Sequence, residues 1–424
     1  MPDSVLTEER PVAAPAAEPA APEQPEAPKK RRFRLTLFWI FLICLIVVMA
    51  LLLAVYQSRA ACDFFLNKIH PPVADFIGRI TGPIPLPICE IADGLAVMAG
   101  GAFLFCLFLL IFLRKYKGYR CFVGICFKAV LTIAVVYFGG SLLFDARMLN
   151  SSVIGKPDYQ AKEHTLEDVT ALWNRWQTEV NTLLRTVDRD ENHHLIHRTE
   201  DEIRADLVKT RQKLSAEFGR FSIDPPQEKT SLVSPVLDSF GIAAYTISPT
   251  MEIVFSDRYE YKPTFASVYA HEFSHYTGFW REDEANYFGF RLCDLSDDPN
   301  IRYAGYLDLY HDLGNALNSA YFGDEPVDVE DEGYSRYCEE HLVQFEDVEQ
   351  CYLFICDLRG NYKLYHELRD EEVVVDEKPD FISLPDSAAE YVSDKGDEHF
   401  SDLQEKLGSH YYDGVIQLLL DDYM

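Results

Sequence analysis

The sequence predicts an α+β protein that is mainly α: a three-helix membrane region, then one domain with a small β-sheet and a helix carrying His-Glu-x-x-His. Three observations predict it. Apolar stretches near residues 35–56, 94–113 and 122–144 are each long enough to cross a bilayer. Strand-like runs are confined to about 242–255. Most of the chain after residue 145 otherwise repeats apolar residues at three- and four-residue spacing, the period of a helix with one buried face.

Residues 1–35 are rich in Ala, Pro and Glu, a composition that cannot bury enough apolar surface to offset its chain entropy, and are read as a disordered cytoplasmic tail. The tail closes with Lys29, Lys30, Arg31, Arg32 and Arg34. The membrane region is expected over 36–144. Its first span is uncharged, and too long and too far along the chain to be a simple cleaved signal peptide. The second is also uncharged, and the third is interrupted only by Lys128, which can snorkel to the interface. Residues 114–120 form a short, strongly basic loop, whereas the loop of about 57–93 balances Arg59, Lys68 and Arg79 against Asp63, Asp75, Glu90 and Asp93. Basic segments stay cytoplasmic, so the N-terminus and the 114–120 loop are expected inside, and the domain 145–424 outside.

The chain has 39 basic and 68 acidic residues, a net charge of -29. The excess lies in 145–424, where 25 basic residues face 58 acidic ones. A domain that acidic is a poor nucleic-acid binder, so DNA and RNA are not expected as partners; the apolar spans make the lipid bilayer an expected one, and the His-Glu-x-x-His motif adds a peptide or protein. Of ten cysteines, Cys62 and Cys89 share the outer loop, while Cys293, Cys338, Cys351 and Cys356 share the outer domain. Even numbers there permit disulfides, Cys62–Cys89 most simply, with free buried thiols as the alternative.

The outer domain opens with Thr165 and Asp168 at capping-box spacing, ahead of the apolar stripe Leu172, Trp173, Trp176, Val180 and Leu184. A second, charged helix is expected from about 200 to 218. Between them, His193, His194 and His197 read either as a second metal site or as a polar inter-helix segment. Two short strands, 242–247 and 251–255, fit a hairpin leading into the next helix; a strand there could pair with an extended peptide or be ordinary sheet. Further helices are expected near 301–321, 332–358 and 400–423.

The chemistry concentrates in His271-Glu272-Phe273-Ser274-His275. Residues four apart on a helix share a face, so His271 and His275 can offer two imidazoles to one ion, with Glu272 beside them. Pro263 suits the first turn, Phe265, Val268 and Tyr269 give an apolar stripe, and Gly278 is the expected stop. Catalytic zinc wants three protein ligands and an open position. Glu282 is the choice for the third, with Asp283 and Glu284 as alternatives: a second helix from Arg281, burying Ala285, Phe288 and Leu292, turns Glu282 back towards the histidines. Asn286, one turn on, is expected to accept the second N–H of a ligating histidine.

These features resemble a family of uncharacterised bacterial membrane proteins with three N-terminal spans and an extracytoplasmic His-Glu-x-x-His domain. The likeness rests on residues 82–90 (GPIPLPICE), on Gly241-Ile242 and Glu252, on the His271 to Asn286 block, on 302–306 (RYAGY) and on 412–420 (YDGVIQLLL), and covers about 36–424. A wider similarity is to Glu-zincin peptidases, whose Glu-x-x-Ala-Asn is matched by Glu282 to Asn286. It implies a zincin-like domain holding Zn2+ through His271, His275 and Glu282, with Glu272 as general base, in a membrane-anchored metallopeptidase. Tyr303, Tyr306, His410 and Tyr411 are candidate oxyanion partners. A non-catalytic zinc-stabilised sensor or scaffold is the alternative, against which Glu272 argues. An intramembrane protease is disfavoured by the charges of 262–284.

Overall fold

The computed structural model describes residues 37–257, 263–323, 348–360 and 413–423, together with Tyr337 and Phe345. The expected 1–35 tail, Cys338, His410, Tyr411 and most of the segments 332–347 and 400–412 lie outside the described residues. The architecture is mainly helical with one small sheet, as expected.

Among the described residues, three helices are long and apolar enough to cross a membrane: α1 (Leu37–Val55), α4 (Ile88–Leu113) and α5 (Lys117–Asn150). Two of them overrun their apolar stretches, and tertiary partners explain why. α4 begins at Ile88, six residues before Gly94, because the Glu252 carboxylate accepts from the Ile88 and Cys89 N–H groups, each at 2.9 Å. Two orphan donors of the helix start are thereby satisfied. Glu90 in the first turn accepts from Ser231 Oγ at 2.5 Å, Leu232 N at 2.7 Å and Tyr245 Oη at 2.8 Å. α5 continues past Phe144 to Asn150, where the Arg147 guanidinium lies 4.7 Å from the Phe65 ring centre.

The segment between α1 and α4, expected as a loop, is helical: α2 (Arg59–Phe64), a π-helical turn (Phe65–Ile69) and α3 (His70–Thr81). Pro71 and Pro72 are tolerated because they sit in the first turn of α3, where N–H groups have no intrahelical acceptor. The Cys62–Cys89 bridge does not form. Cys62 Sγ instead donates to the Tyr56 carbonyl at 3.3 Å, Cys89 Sγ lies 3.8 Å from Tyr245 Oη, and the nine cysteines among the described residues are all free.

α6 (Leu166–Leu184) starts at the expected capping box, with Thr165 and Asp168 bonding each other's backbone, and buries Leu172, Trp173, Trp176, Val180 and Leu184. α7 (Glu200–Ser215) has a second box from Thr199 and Glu202 and ends three residues before Phe218, which leaves the helix to enter the core. β1 (Lys229–Thr230), a short α8 (Ser234–Ser239), β2 (Ala244–Ile247) and β3 (Glu252–Phe255) follow. β2 and β3 form the expected antiparallel hairpin, with Tyr245 opposite Val254. β1 pairs parallel with β3, giving the order β1-β3-β2. At two residues, β1 is too short to carry a pattern. α9 (Phe265–Thr277), α10 (Glu282–Asp294) and α11 (Pro299–Phe322) complete the centre, with α12 (Val348–Arg359) and α13 (Asp413–Tyr423) against it.

One continuous core runs from Ala74 of α3 through α6, α7, the sheet and α9 to α13. The Trp176 indole N–H donates to the Tyr306 carbonyl at 2.9 Å, so the largest fully buried side chain is also polar-satisfied.

Candidate metal centre

α9 starts at Phe265 with Thr264 as its N-cap, so Pro263 stands two residues before the helix and not in its first turn. Phe265, Tyr269, Phe273 and Tyr276 face the core at helical spacing. His271 and His275 occupy another face. Gly278 ends α9 in the left-handed conformation, φ 103°, which a residue without Cβ adopts at least cost. The turn is fixed from outside: buried Arg220 donates to the Gly278 carbonyl at 3.0 Å and lies 4.6 Å from the centre of the Phe279 ring.

α10 begins at Glu282, with Glu282, Asp283 and Glu284 in its first turn, where negative charge meets the helix dipole favourably. Ala285, Phe288 and Leu292 are fully buried, as the periodicity predicts. Gly289, two turns after Glu282 on the same face, lets the helices touch: a Cβ there would stand 3.0 Å from His271 N and 3.1 Å from its Cα. That close approach carries Glu282 to the histidines.

The three side chains converge. His271 Nε2 lies 3.3 Å from Glu282 Oε2, His275 Nε2 lies 3.4 Å from Glu282 Oε1, and the three ligand atoms sit within 4.8 Å of one another. A tetrahedral zinc with bonds of about 2.0–2.1 Å has ligand–ligand edges of about 3.3 Å, so both histidine–glutamate separations fit. His275 Nδ1 donates to the Phe279 carbonyl at 2.8 Å, which fixes its tautomer and leaves Nε2 with a lone pair for an ion. Its ring stacks on Trp280 at 5.8 Å and 12°. Burial works to lower the His271 pKa, but the hydrogen bond and charge of Glu282 outweigh it and raise it to about 9. Burial likewise opposes ionisation of Glu282, yet the two histidines hold its carboxyl well below the usual range. A divalent cation would take the place of the proton in this charge arrangement.

Of the three acidic candidates, Glu282 alone joins the cluster. Asp283 pairs with Arg281 at 3.1 Å, and Glu284 accepts from the Ile154 N–H at 2.5 Å deep in the core, where burial and then the Asp283 charge push its pKa up to about 7. Asn286 bonds neither histidine; the Phe279 carbonyl has the part assigned to it, because the chain after Gly278 folds back over His275. Tyr303 and Tyr306 are no nearer to being oxyanion partners, since their hydroxyls donate to Asp357 at 2.8 Å and Asp294 at 2.9 Å. The 193–197 segment gathers no third ligand: among the described residues, His271, His275 and Glu282 are the only group of three that could hold a metal.

Glu272 is 5% exposed, and its carboxylate lies 2.7 Å from Thr246 Oγ1 on β2; the same hydroxyl is 2.9 Å from the Glu272 carbonyl. Sequence reasoning missed Thr246. A single threonine in a four-residue strand gives no signal beyond the alternation that placed the strand.

Comparison with known proteins places one family on the chain: the family described as "Protein of unknown function (DUF3810)" matches residues 65–330. No curated protein and no solved structure matches it.

Proposed function

The chain belongs to this family of unknown function, and from the site itself we propose that it is a membrane-anchored, zinc-dependent metallopeptidase with a zincin-like domain outside the cytoplasm. The observation that carries the proposal is the convergence of His271, His275 and Glu282 beside a carboxylate, Glu272, that is not one of the three. A purely structural zinc site has four protein ligands and no use for such a base.

When bound, zinc supplies Lewis acidity and brings the pKa of water towards neutrality. His271, His275 and Glu282 are the residues that would hold it. Glu272 accepts a proton from the attacking water and delivers it to the leaving amine, so one carboxylate serves as base and then as acid. Thr246 holds that carboxylate at the sheet. β2 is the outer strand of the order β1-β3-β2, and an extended peptide added to its edge is carried past Glu272. The basic segments at 29–34 and 114–120 support a cytoplasmic N-terminus.

The test uses the full chain in detergent or nanodiscs. About one zinc per chain is expected, lost in His271→Ala and His275→Ala, sharply weakened in Glu282→Ala and nearly unchanged in Glu284→Ala. Glu272→Gln should keep its zinc and lose cleavage by a factor on the order of 10² to 10⁴. Cleavage is read on a peptide library, and in cells by quantitative proteomics for a membrane or surface protein that accumulates uncut in Glu272→Gln. Zinc bound with no such difference would sink the peptidase and leave a zinc-stabilised sensor or scaffold.

A further inference from the structure

α3 has two faces that differ sharply. Its inner face carries the metal helix: His70 Nε2 donates to the Tyr276 carbonyl at 2.9 Å, Tyr276 Oη donates to the Ala74 carbonyl at 3.2 Å, and Gly78 leaves room for that hydroxyl. Its outer face is apolar and bare. Ile69, Val73, Phe76 and Ile80 are 39%, 45%, 65% and 56% exposed, at the four- and three-residue spacing that keeps side chains in one stripe. Phe64, also exposed, stands five residues before Ile69 across the π-helical turn, whose wider i to i+5 winding suits that spacing. Exposed Ile84 and Leu86 carry the stripe on towards α4. A contiguous apolar strip of this kind is not left in water by a soluble domain.

What covers it follows from where it lies. α3 sits in the chain between two helices that are long and apolar enough to cross a membrane. The start of α4 and the end of α5 both meet the domain. Glu252 caps the former, and on the latter Phe144, the last apolar residue of its stretch, packs its ring 4.9 Å from Trp280. Trp280 in turn lies 6.4 Å from the His70 ring at the head of α3. The helix therefore begins at the level where the apolar part of α5 ends. Lys229 donates to the carbonyls of Thr81 at 3.0 Å and Leu86 at 3.2 Å, fixing the far end of α3 to the start of α4. Exposed Lys68 and Arg79 flank the stripe, as on helices that lie in the headgroup layer.

We propose that α3 is an interfacial helix whose outer face enters the surface of a phospholipid bilayer, so that α9 and its ligands ride at the level of the headgroups. The inference concerns the seating of the site and holds whether or not the site hydrolyses peptides.

A trifluoromethyl-phenylalanine at position 76 of the full chain, in phosphatidylcholine nanodiscs, reports the environment of this face by fluorine NMR. The same label at Ile196, exposed on the domain, is the comparison. A lipid carrying a nitroxide just below its headgroup should broaden the signal at 76 several-fold and spare that at 196, and a water-soluble gadolinium chelate should do the reverse. A signal at 76 broadened by the chelate places the face in water and overturns the proposal. One broadened by neither agent places it under protein, a second copy or another chain, and overturns it equally. Repeating the label at Ile80 separates a property of the face from a local distortion at 76.

Discussion

Glu272 and His70 show how much of the site is set by single contacts. The Thr246 hydroxyl reaches both the backbone and the carboxylate of Glu272, so it fixes the rotamer of that side chain. Thr246→Val keeps the shape and removes the donor. Zinc content should be unchanged and the rate of cleavage about tenfold lower, equivalent to one charge-assisted hydrogen bond of about 1.5 kcal/mol, with Thr246→Ser restoring it. Equal loss in the serine variant would show that the hydroxyl does not matter. His70 gives a pH signature. Burial lowers its pKa to about 4, only partly offset by the Tyr276 carbonyl. Between about 6.5 and 4 the unfolded chain binds a proton that the folded chain refuses, so stability present at neutral pH is lost as pH falls through that window, by up to about 3 kcal/mol. The melting midpoint in detergent should drop between pH 7 and pH 5, and less so in His70→Gln, which keeps a donor for Tyr276. Thr246 and His70 do not announce themselves in the sequence: each matters through a partner that chain spacing does not reveal.

At the scale of elements, α9 and α10 were legible because their signals are local. His271, His275 and Gly278 mark one helix and its end, and Ala285, Phe288 and Leu292 repeat at the period of the next. Glu282 was picked from three neighbouring acids because it combines the helix face with the Ala285-Asn286 spacing. The supports were not legible. Arg220 clamps the turn between the helices from 58 residues upstream, and α2, α3 and β1 are too short or too proline-rich to stand out against their surroundings. Gly289 carries no sequence signal of its own, yet it sets the distance between α9 and α10. Gly289→Ala would place a methyl group against the backbone of His271, which has no flexible end to move aside. The variant should lose about 1–3 kcal/mol of stability by overpacking and bind zinc at least tenfold more weakly, because Glu282 moves off with its helix. Metal titration followed by thermal melting reads both. Unchanged affinity would mean that α10 adjusts by rotation alone.

For the whole molecule, the apolar stretches foretold three helices long and apolar enough to cross a membrane, but not the way the domain is joined to them. Lys229 and Glu252, both buried and paired, connect the sheet to the start of α4. Lys229→Met would leave Glu252 charged and without its cation, an arrangement that typically costs about 3–5 kcal/mol, and should sharply lower the melting temperature of the full chain. Orientation is tested separately: a reporter that works only in the cytoplasm, fused after Met424, should stay silent, and a strong signal would reverse the compartment argument. The supports of the α9–α10 turn have one more property in common. Asn67, His70, Ala74, Phe144, Ile154 and Arg220 all precede Phe265 in the chain, while α11 and α13, which pack against α10, follow it. A nascent chain thus lays down the seat before the ribosome reaches the ligands. In the order of synthesis the helix pair with the candidate metal residues follows its supports, and α11 and α13 follow it.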